Sequence, residues 1–163
     1  MSPPTRRALA FTAVFLLAVA ACGEPGREVT AGDAISVHYV GTLDDGEQFD
    51  SSRDRGQPLS FVVDSGQMIA GFDAGVRGMA VGDIKTVRIE SVDAYGEWTE
   101  EQVISIPVEA LPEGTEAGEQ LIAGNGQNVL VLEIDDIEAR LDANHPLAGE
   151  ALTFEIELVS FDN

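Results

Sequence analysis

The chain has 163 residues, and its 29 Asp and Glu outnumber its 9 Lys and Arg, which gives a formal charge of −20 at pH 7. This acidity argues against a nucleic-acid-binding protein, because phosphate binding requires clustered basic side chains. Hydrophobic residues make up 44% of the chain, so a folded core is expected, and the length suits one domain or one domain with an insertion. The single cysteine cannot form an internal disulfide.

The N-terminus has the pattern of an export signal. Arg6 and Arg7 give it a basic start, and an uncharged apolar run follows from Ala8 to Ala21. This run is too short for a membrane-spanning helix, and it ends in small residues as secretory signals do. We therefore predict a signal peptide over residues 1–21. Cys22 follows directly, and one interpretation is an incidental cysteine behind an ordinary cleaved signal.

The residues Val19-Ala20-Ala21-Cys22 support a second interpretation of this cysteine. They resemble the bacterial lipobox, in which the cysteine is lipidated and becomes the new N-terminus. The resemblance implies that Cys22 is a lipidation site and that residues 22–32 are the lipidated cysteine and a short tether. Acyl chains would then hold the exported protein on a bacterial membrane, facing the periplasm or the cell exterior.

Most of the remaining chain is predicted to form short strands, with one helix. The strand segments alternate between apolar and polar residues or are rich in β-branched and aromatic residues. Asp44-Asp45-Gly46 predicts a hairpin turn between the first two strands. The predicted strands are 35–40, 48–52, 61–63, 84–89 and 152–159, and the predicted helix is 69–78.

Composition changes in the second half of the chain. Acidic residues, prolines and glycines become frequent, with short apolar segments among them. Asn125-Gly126 is a strong hairpin signal between two such segments, 120–123 and 127–134, and a further strand is predicted at 103–107. We therefore predict a small, separate β unit over residues 97–143. With one helix in a mostly β chain, the predicted fold class is α+β.

The stretch from Phe61 to Phe72 is the first candidate for a binding site. It begins as an apolar strand and breaks at Asp64-Ser65-Gly66. It restarts as a helix-like segment with apolar side chains at Met68 and Ile69. An ordinary strand–turn–helix core element accounts for this pattern. The alternative is a pocket for an apolar ligand, with large side chains turned inward around a hollow.

Five short motifs occur in the order and at the spacing of the FKBP-type peptidyl-prolyl isomerases, and the chain resembles that family from Val29 to Gly96. Each motif is weak alone, but their joint order is specific. Residues 152–159 supply the last strand expected of the family. The motifs are Val37-His38-Tyr39-Val40-Gly41, Phe49-Asp50-Ser51-Ser52, Met68-Ile69-Ala70-Gly71-Phe72, Gly78-Met79-x-Val81-Gly82 and Ala94-Tyr95-Gly96.

The following segment resembles one branch of this family. The β-rich insertion and the motif Asn144-His145-x-Leu147-Ala148-Gly149 are similar to SlyD-like proteins, whose insert-in-flap domain binds unfolded chains. The resemblance implies an α+β fold in which an antiparallel half-barrel sheet wraps on one short helix. The isomerase domain would comprise residues 33–96 and 144–163, and residues 97–143 would form the insert-in-flap domain. Its last part, Glu138–Asp142, looks shorter than usual, so a trimmed outer sheet is expected.

The family's site residues carry over onto matching positions. By resemblance, Asp50, Tyr95 and Tyr39 would be catalytic. The Tyr95 hydroxyl would donate a hydrogen bond to a substrate carbonyl, as would the backbone N–H of Ile69. Tyr39 would orient Asp50, whose role would be electrostatic and not acid–base. The walls that bind the proline ring would be Tyr39, Phe49, Leu59, Phe61, Met68, Ile69, Phe72 and Phe154.

No cofactor or metal is expected. Two histidines and one terminal cysteine are too few for a zinc site of ordinary ligand number. The chain stops at Asn163 without the His-, Cys- and Asp-rich tail of many SlyD-like proteins, so nickel handling is not expected. Leu59 and Phe72 replace larger aromatic residues of many eukaryotic members, which argues against tight binding of the family's macrolide inhibitors.

Three functions fit this sequence. The favoured one is a lipid-anchored peptidyl-prolyl cis-trans isomerase that assists the folding of exported proteins, with the insert holding unfolded chains. The alternatives are a non-catalytic peptide-binding chaperone or holdase lipoprotein, and an acidic surface lipoprotein with a structural role. The expected partners are unfolded or proline-containing exported polypeptides and the membrane, with no nucleic acid, and the protein is expected to be a monomer.

Overall fold

A computed structural model describes residues 26–162. The predicted signal peptide at 1–21 and the predicted lipidation site at Cys22 lie outside the described residues. No helix among those described is both long and apolar enough to cross a bilayer. In chain order the elements are β1 (Ala34–Leu43), β2 (Gln48–Ser51), β3 (Leu59–Val62), α1 (Ala70–Val76), β4 (Ile84–Ile89), β5 (Val103–Pro107), β6 (Gln120–Ile122), β7 (Asn128–Ile134), β8 (Glu138–Asp142) and β9 (Leu152–Phe161).

The larger sheet has five antiparallel strands organised around β1. β9 pairs with β1 along nearly its whole length, and β4 lies outside β9. On the other side of β1, β3 pairs with its first half and β2 with its second half. The register shifts at Ser36/Val37 and again at Gly41/Thr42, and such bulges bend a strand and increase its twist. This antiparallel sheet with one short helix is the fold that the resemblance implied.

The core of the larger sheet follows the alternation predicted from the sequence. In β9, every second residue from Leu152 to Leu158 is buried, whereas Glu155 is exposed. The predicted last strand is therefore confirmed, and it continues to Phe161. The predicted helix is confirmed but shorter, because the backbone becomes extended at Arg77 after α1 ends.

α1 packs closely against β4 because two of its positions are glycine. A Cβ at Gly71 would lie 2.2 Å from Cγ2 of Ile89, and a Cβ at Gly75 would lie 3.0 Å from Cγ2 of Val87. At Gly71 the helix therefore lies closer to the sheet than a side chain would permit, whereas a side chain at Gly75 would require Val87 to give way slightly. This close approach buries Phe72 almost completely and places its ring at the centre of the core.

A second antiparallel sheet lies within the predicted insertion and has its own core. Its strand order is β5-β8-β7-β6. The Asn125-Gly126 hairpin is confirmed, because it joins β6 to β7 and Gly126 adopts a φ of 84°. One face of the sheet buries an apolar cluster separate from the larger core, formed by Val129, Val131, Ala139 and Leu141.

The sequence analysis did not predict the strand β8, which covers Glu138–Asp142 in the structure. The strand lies inside the second sheet, between β5 and β7. Its Ala139 and Leu141 are buried while the residues on either side of them are polar. Apolar and charged residues alternate strictly over these five positions, which is a strand signal. Three of the five side chains are charged, however, and this hid the signal. The division of the chain into an isomerase domain and an insert-in-flap domain stays a prediction.

Candidate active site

A cavity of about 450 Å³ opens beside α1. Its residues come from β1, β2, β9, α1 with the segment before it, and the loop after β4. Aromatic and aliphatic side chains dominate, with few polar groups among them, as is usual for a ligand site. The lining consists of Tyr39, Phe49, Asp50, Gly66, Gln67, Met68, Ile69, Phe72, Ala94, Tyr95 and Phe154.

Four aromatic rings form the floor of this cavity. The ring centroids of Phe72 and Phe154 lie 5.1 Å apart at an interplanar angle of 88°, and those of Phe49 and Phe154 lie 5.6 Å apart at 89°. Tyr39 stands edge-on to Phe72 at 5.8 Å and to Phe154 at 5.9 Å. Edge-to-face pairs contribute about 0.5–1.5 kcal/mol each beyond the burial of their area. The rings therefore fix one another as an ordered apolar surface.

Gly41 in β1 makes room for two of these rings. A Cβ at this position would lie 2.6 Å from Cζ of Phe49 and 3.0 Å from Cε1 of Phe154. Aromatic rings cannot yield by bending as a flexible side chain can, so a larger residue here would displace them. The glycine in the Val37–Gly41 motif thus sets the position of the cavity floor.

Asp50 is held at the cavity by a closed network of hydrogen bonds. The Tyr39 hydroxyl donates to Oδ2 of Asp50, and Nη1 of Arg55 donates to Oδ1. The backbone N–H of Ser51 also donates to Oδ1, over 2.8 Å. Nη2 of Arg55 closes the network by donating to the Tyr39 hydroxyl over 2.6 Å. The carboxylate therefore has one fixed orientation.

The same network keeps Asp50 ionised. Partial burial acts to raise the pKa of the Asp50 carboxyl, but the hydrogen bonds from Tyr39, Arg55 and the backbone outweigh burial and hold that pKa below its usual range. Burial and the hydrogen bond to Asp50 raise the pKa of the Tyr39 hydroxyl, which therefore stays a donor. At pH 7 Asp50 is a fixed negative charge and not a source of protons.

Two possible donors to a ligand line the cavity. The carbonyl of Ile69 accepts hydrogen bonds from Phe72 and Asp73, but the N–H of Ile69 has no acceptor among residues 26–162. The Tyr95 hydroxyl has no hydrogen-bond partner within the same range. Backbone and hydroxyl donors at a cavity wall gain by pairing with a ligand carbonyl. Both groups are therefore suited to binding a peptide.

The ring of Tyr95 is supported by His145. The two rings are stacked, with centroids 3.8 Å apart and planes at 6°. The backbone N–H of Leu147 donates to Nδ1 of His145 over 3.1 Å. Partial burial lowers the pKa of His145, so the ring is neutral at pH 7 and carries its proton on Nε2. The imidazole is a flat, neutral support that orients the half-exposed Tyr95 ring.

Two of the expected wall residues do not line the cavity. Phe61 lies behind Phe72, with ring centroids 5.8 Å apart, and Leu59 packs against the larger core. Both lie in β3, opposite Ile35 and Val37 in the half of β1 away from the cavity. Leu59 and Phe61 therefore support the floor from below. The expected residues that do line it are Tyr39, Phe49, Asp50, Met68, Ile69, Phe72, Tyr95 and Phe154.

Sequence reasoning missed Arg55. The residue lies in a polar loop after β2, and nothing in the local pattern distinguishes it from Arg53 two positions earlier. In the structure Arg53 pairs with Glu157, whereas Arg55 turns back onto Asp50. The only available signal was charge, since an ionised carboxylate near apolar residues favours a nearby cation.

Replacing Asp50 by asparagine is expected to change how stability depends on pH. The folded-state pKa of Asp50 lies below the unfolded value of about 3.9, so the ionised group stabilises the fold above about pH 4. That stabilisation is lost as the pH falls through the folded-state pKa. The unfolding free energy of the wild type should exceed that of Asp50→Asn at pH 7, and the difference should shrink below about pH 4.

Urea unfolding at several pH values measures this difference. Asp136→Asn, which removes an exposed carboxylate outside the network, is the matched control. A difference between wild type and Asp50→Asn that stays constant or grows on acidification would contradict the depressed pKa.

Comparison of the chain with known proteins points to one family. A family model described as FKBP-type peptidyl-prolyl cis-trans isomerase matches residues 26–159. A protein of Pseudomonas fluorescens, "Probable FKBP-type 16 kDa peptidyl-prolyl cis-trans isomerase", is 31% identical over 130 residues, which cover 77% of this chain and 86% of that protein. The crystal structure of AtFKBP13 superposes with a TM-score of 0.51 and 27% identity, covering 85% of this chain and 86% of that one.

Fungal relatives are more similar over a shorter region. FK506-binding protein 1A of Neurospora crassa is 46% identical over 74 residues, which make up 45% of this chain and 62% of that protein. FK506-binding protein 1 of Yarrowia lipolytica is 46% identical over 66 residues, or 40% of this chain and 61% of that protein. The chain thus spans less than two thirds of the length of these two relatives. Because the family model covers most of the chain and the Pseudomonas fluorescens protein is matched along most of its length, the chain belongs to the FKBP-type peptidyl-prolyl cis-trans isomerase family.

Proposed function

We propose that this protein catalyses cis-trans isomerisation of X-Pro bonds in polypeptides. One observation carries the proposal: an immobilised, ionised Asp50 and the donors of Ile69 and Tyr95 line the same aromatic cavity. Membership of the FKBP-type family supports the same reaction. No nucleophile or proton transfer is needed, because the reaction is a rotation about one bond.

The chemistry of the cavity suits that rotation. The barrier of about 18–20 kcal/mol comes from the double-bond character of the peptide bond. The twisted transition state has lost amide resonance and is less polar than the planar amide. An apolar floor therefore binds the twisted form better than the planar form, and each ~1.36 kcal/mol of that preference raises the rate tenfold.

Each polar group at the cavity has a role in this mechanism. The Tyr95 hydroxyl and the Ile69 N–H donate to carbonyls of the peptide and hold it across the floor. The fixed charge of Asp50 faces the imide carbonyl as it rotates and stabilises the positive end of its dipole. Tyr39 and Arg55 keep that charge in place, so no reorganisation is needed during the reaction.

Activity on a short X-Pro peptide tests the proposal. The full chain, purified in detergent, should accelerate cis-trans exchange, which takes about 10–100 s without a catalyst at 25 °C. Tyr95→Phe removes one hydrogen bond of about 0.5–1.5 kcal/mol and should lower kcat/KM by about two- to tenfold. Asp50→Ala should lower it too, since the fixed charge is lost, whereas Asp136→Ala is the matched control.

The absence of any acceleration by the wild type would refute the isomerase. In that case peptide binding without turnover would leave a holdase as the function.

We further propose that the second sheet holds unfolded polypeptides while the cavity acts on their prolines. The described part of this sheet exposes three isoleucines, Ile104, Ile122 and Ile137, of which Ile137 is 79% exposed. Exposed apolar side chains at a sheet edge or loop suit capture of extended chains. Capture near the cavity raises the local concentration of prolines there.

Refolding of a proline-limited protein separates the two activities. Replacing both Ile122 and Ile137 by serine should slow catalysed refolding roughly tenfold or more relative to catalysis on a short peptide, because the tethering effect is lost. Ile84→Ser, on β4, is the matched control for removing an exposed isoleucine. If a version with residues 97–143 replaced by a short linker refolds the protein equally well, the holding role is wrong.

We propose that the protein is exported and anchored to a bacterial membrane through lipidated Cys22, facing the periplasm or the cell exterior. The lipobox-like Val19-Ala20-Ala21-Cys22 and the preceding apolar run support this location. Cell fractionation tests it: the wild type should be found with the membranes and Cys22→Ser should not. Membrane association that survives this substitution would refute the lipid anchor.

A further inference from the structure

A second cavity, of about 160 Å³, lies where the two sheets meet. One wall is the face of the second sheet opposite its buried cluster, where Gln120, Leu130 and Asp142 are direct cross-strand partners. The other walls are Trp98, on the chain leading into the second sheet, and the chain returning to β9. We call this space the junction cavity. It is lined by Trp98, Gln120, Asn128, Val129, Leu130, Asp142, Asn144, His145, Pro146 and Ala148.

The junction cavity adjoins the candidate active site. His145 lines the junction cavity, and Tyr95 lines the larger one. Because these two rings are stacked 3.8 Å apart, the two cavities are separated by this one pair of rings, and each cavity borders one of them. An extended peptide advances about 3.3 Å per residue. A chain with its proline on the aromatic floor can therefore place a residue close to that proline in the junction cavity.

Hydrogen bonds hold the walls of the junction cavity in place. The side chain of Asn144 is buried, and it accepts from the N–H of Thr99 over 3.1 Å and donates to the carbonyl of Thr99 over 2.9 Å. Nε1 of Trp98 donates to Oδ2 of Asp142 over 2.7 Å. These bonds tie the incoming chain, the returning chain and β8 together. The cavity is therefore preformed.

The carboxylate of Asp142 has one hydrogen-bond acceptor position in the junction cavity that no described residue uses. Oδ1 of Asp142 accepts from both the N–H and the Nδ2 of Asn144, at 2.8 and 2.6 Å, whereas Oδ2 accepts only from Trp98. A carboxylate offers about four acceptor positions, so Oδ2 can take one more donor. Burial acts to raise the pKa of Asp142, but hydrogen bonds from Trp98 and Asn144 outweigh it and keep the group ionised.

The remaining surface is apolar, and its surroundings are acidic. Trp98 is 46% exposed and Leu130 is 36% exposed, and Pro146 and Ala148 complete this part of the lining. None of the lining residues is Lys or Arg, and burial lowers the pKa of His145 so that its ring is neutral at pH 7. Residues 97–143 contain twelve acidic side chains and a single basic one, Arg140, which pairs with two glutamates.

We propose that the junction cavity is a specificity subsite for an arginine close to the proline of the substrate. This inference rests on the proposed isomerase function. The aliphatic stem of the arginine packs on Leu130, and its guanidinium stacks on Trp98 and donates to Oδ2 of Asp142. The volume of about 160 Å³ is on the scale of one side chain.

Leucine, glutamate and lysine side chains fit the lining of the junction cavity less well than arginine. A leucine would cover Trp98 and Leu130 but leave the acceptor of Asp142 facing an apolar group, which is unfavourable. A glutamate would meet the negative charge of Asp142 and of the surrounding second sheet. A lysine supplies the charge without the planar group that stacks on an indole. The expected order of preference is therefore arginine, lysine, leucine and glutamate.

Trp98 gives a direct test because it is the only tryptophan of the chain. Proline peptides that carry Arg, Lys, Leu or Glu at one to four positions from the proline are titrated into the full chain in detergent while tryptophan fluorescence is recorded. The arginine peptide should change the emission saturably at one spacing, and it should bind about five- to twentyfold more tightly than the glutamate peptide. Added salt should reduce that ratio.

Two variants and a second readout complete the experiment. Asp142→Asn should reduce the ratio of arginine to leucine affinity, whereas Asp136→Asn, in the turn between β7 and β8 and outside the cavity, should preserve it. The ratio is the readout, because a folding defect would lower both affinities together. Equal or stronger binding of the leucine peptide, or no change in Trp98 emission with any peptide, would overturn the proposal.

Catalysis is measured separately with the same peptides. Turnover of all of them without a preference for arginine would overturn the subsite and leave the isomerase intact. Fluorescence binding with arginine preference but no turnover would support the subsite and refute the isomerase.

Discussion

The seating of α1 on the larger sheet through Phe72 is the contact on which the rest of the structure depends. The Phe72 ring meets those of Phe61, Tyr39 and Phe154 at 5.1 to 5.8 Å, so it belongs at once to the core and to the cavity floor. The helix reaches this position only because its two glycines let it approach β4. The packing that stabilises the fold is therefore also the packing that shapes the cavity, and neither can change alone.

The charge at the site has to be maintained against the effect of burial. Hydrogen bonds from Tyr39 and from Arg55, one of only 9 basic residues in the chain, outweigh the effect of burial and keep the Asp50 carboxyl ionised. An exposed ion pair contributes little to stability. The value of this pair lies in fixing the position and ionisation of one carboxylate at the cavity.

Local pattern and motif order predicted much of the fold and most of the cavity lining, but not the contacts made across the chain. The last strand could be predicted from its alternation of apolar and polar residues, and the hairpin could be predicted from the turn-forming pair Asn125-Gly126. Asp50 and Tyr39 could be paired because their motifs resemble those of a known family. Arg55 could not, since a loop arginine carries no sign of which carboxylate it will meet.

Leu59 and Phe61 show a second limit of prediction from sequence, which concerns the position of an apolar residue relative to the cavity. Their apolar character was read correctly, but a floor residue and the residue supporting it look identical in sequence. Only the pairing of β3 with the half of β1 that lies away from the cavity shows that these two residues support the floor and do not line it. β8 was missed for a different reason, because its charged residues hid an alternation that is decisive once the partner strands are known.

The connections between the two sheets give the second sheet a structural influence on the cavity. The incoming chain carries Tyr95 and Trp98, and the returning chain carries Asn144 and His145. Asn144 binds both backbone groups of Thr99, and His145 stacks on Tyr95, so the two chains are fastened to each other at several points. A displacement of the second sheet would pull on the returning chain and shift the support of the Tyr95 ring. The hydroxyl proposed to bind the substrate carbonyl would move with it, so the position of the second sheet and the geometry of the cavity are linked through these contacts.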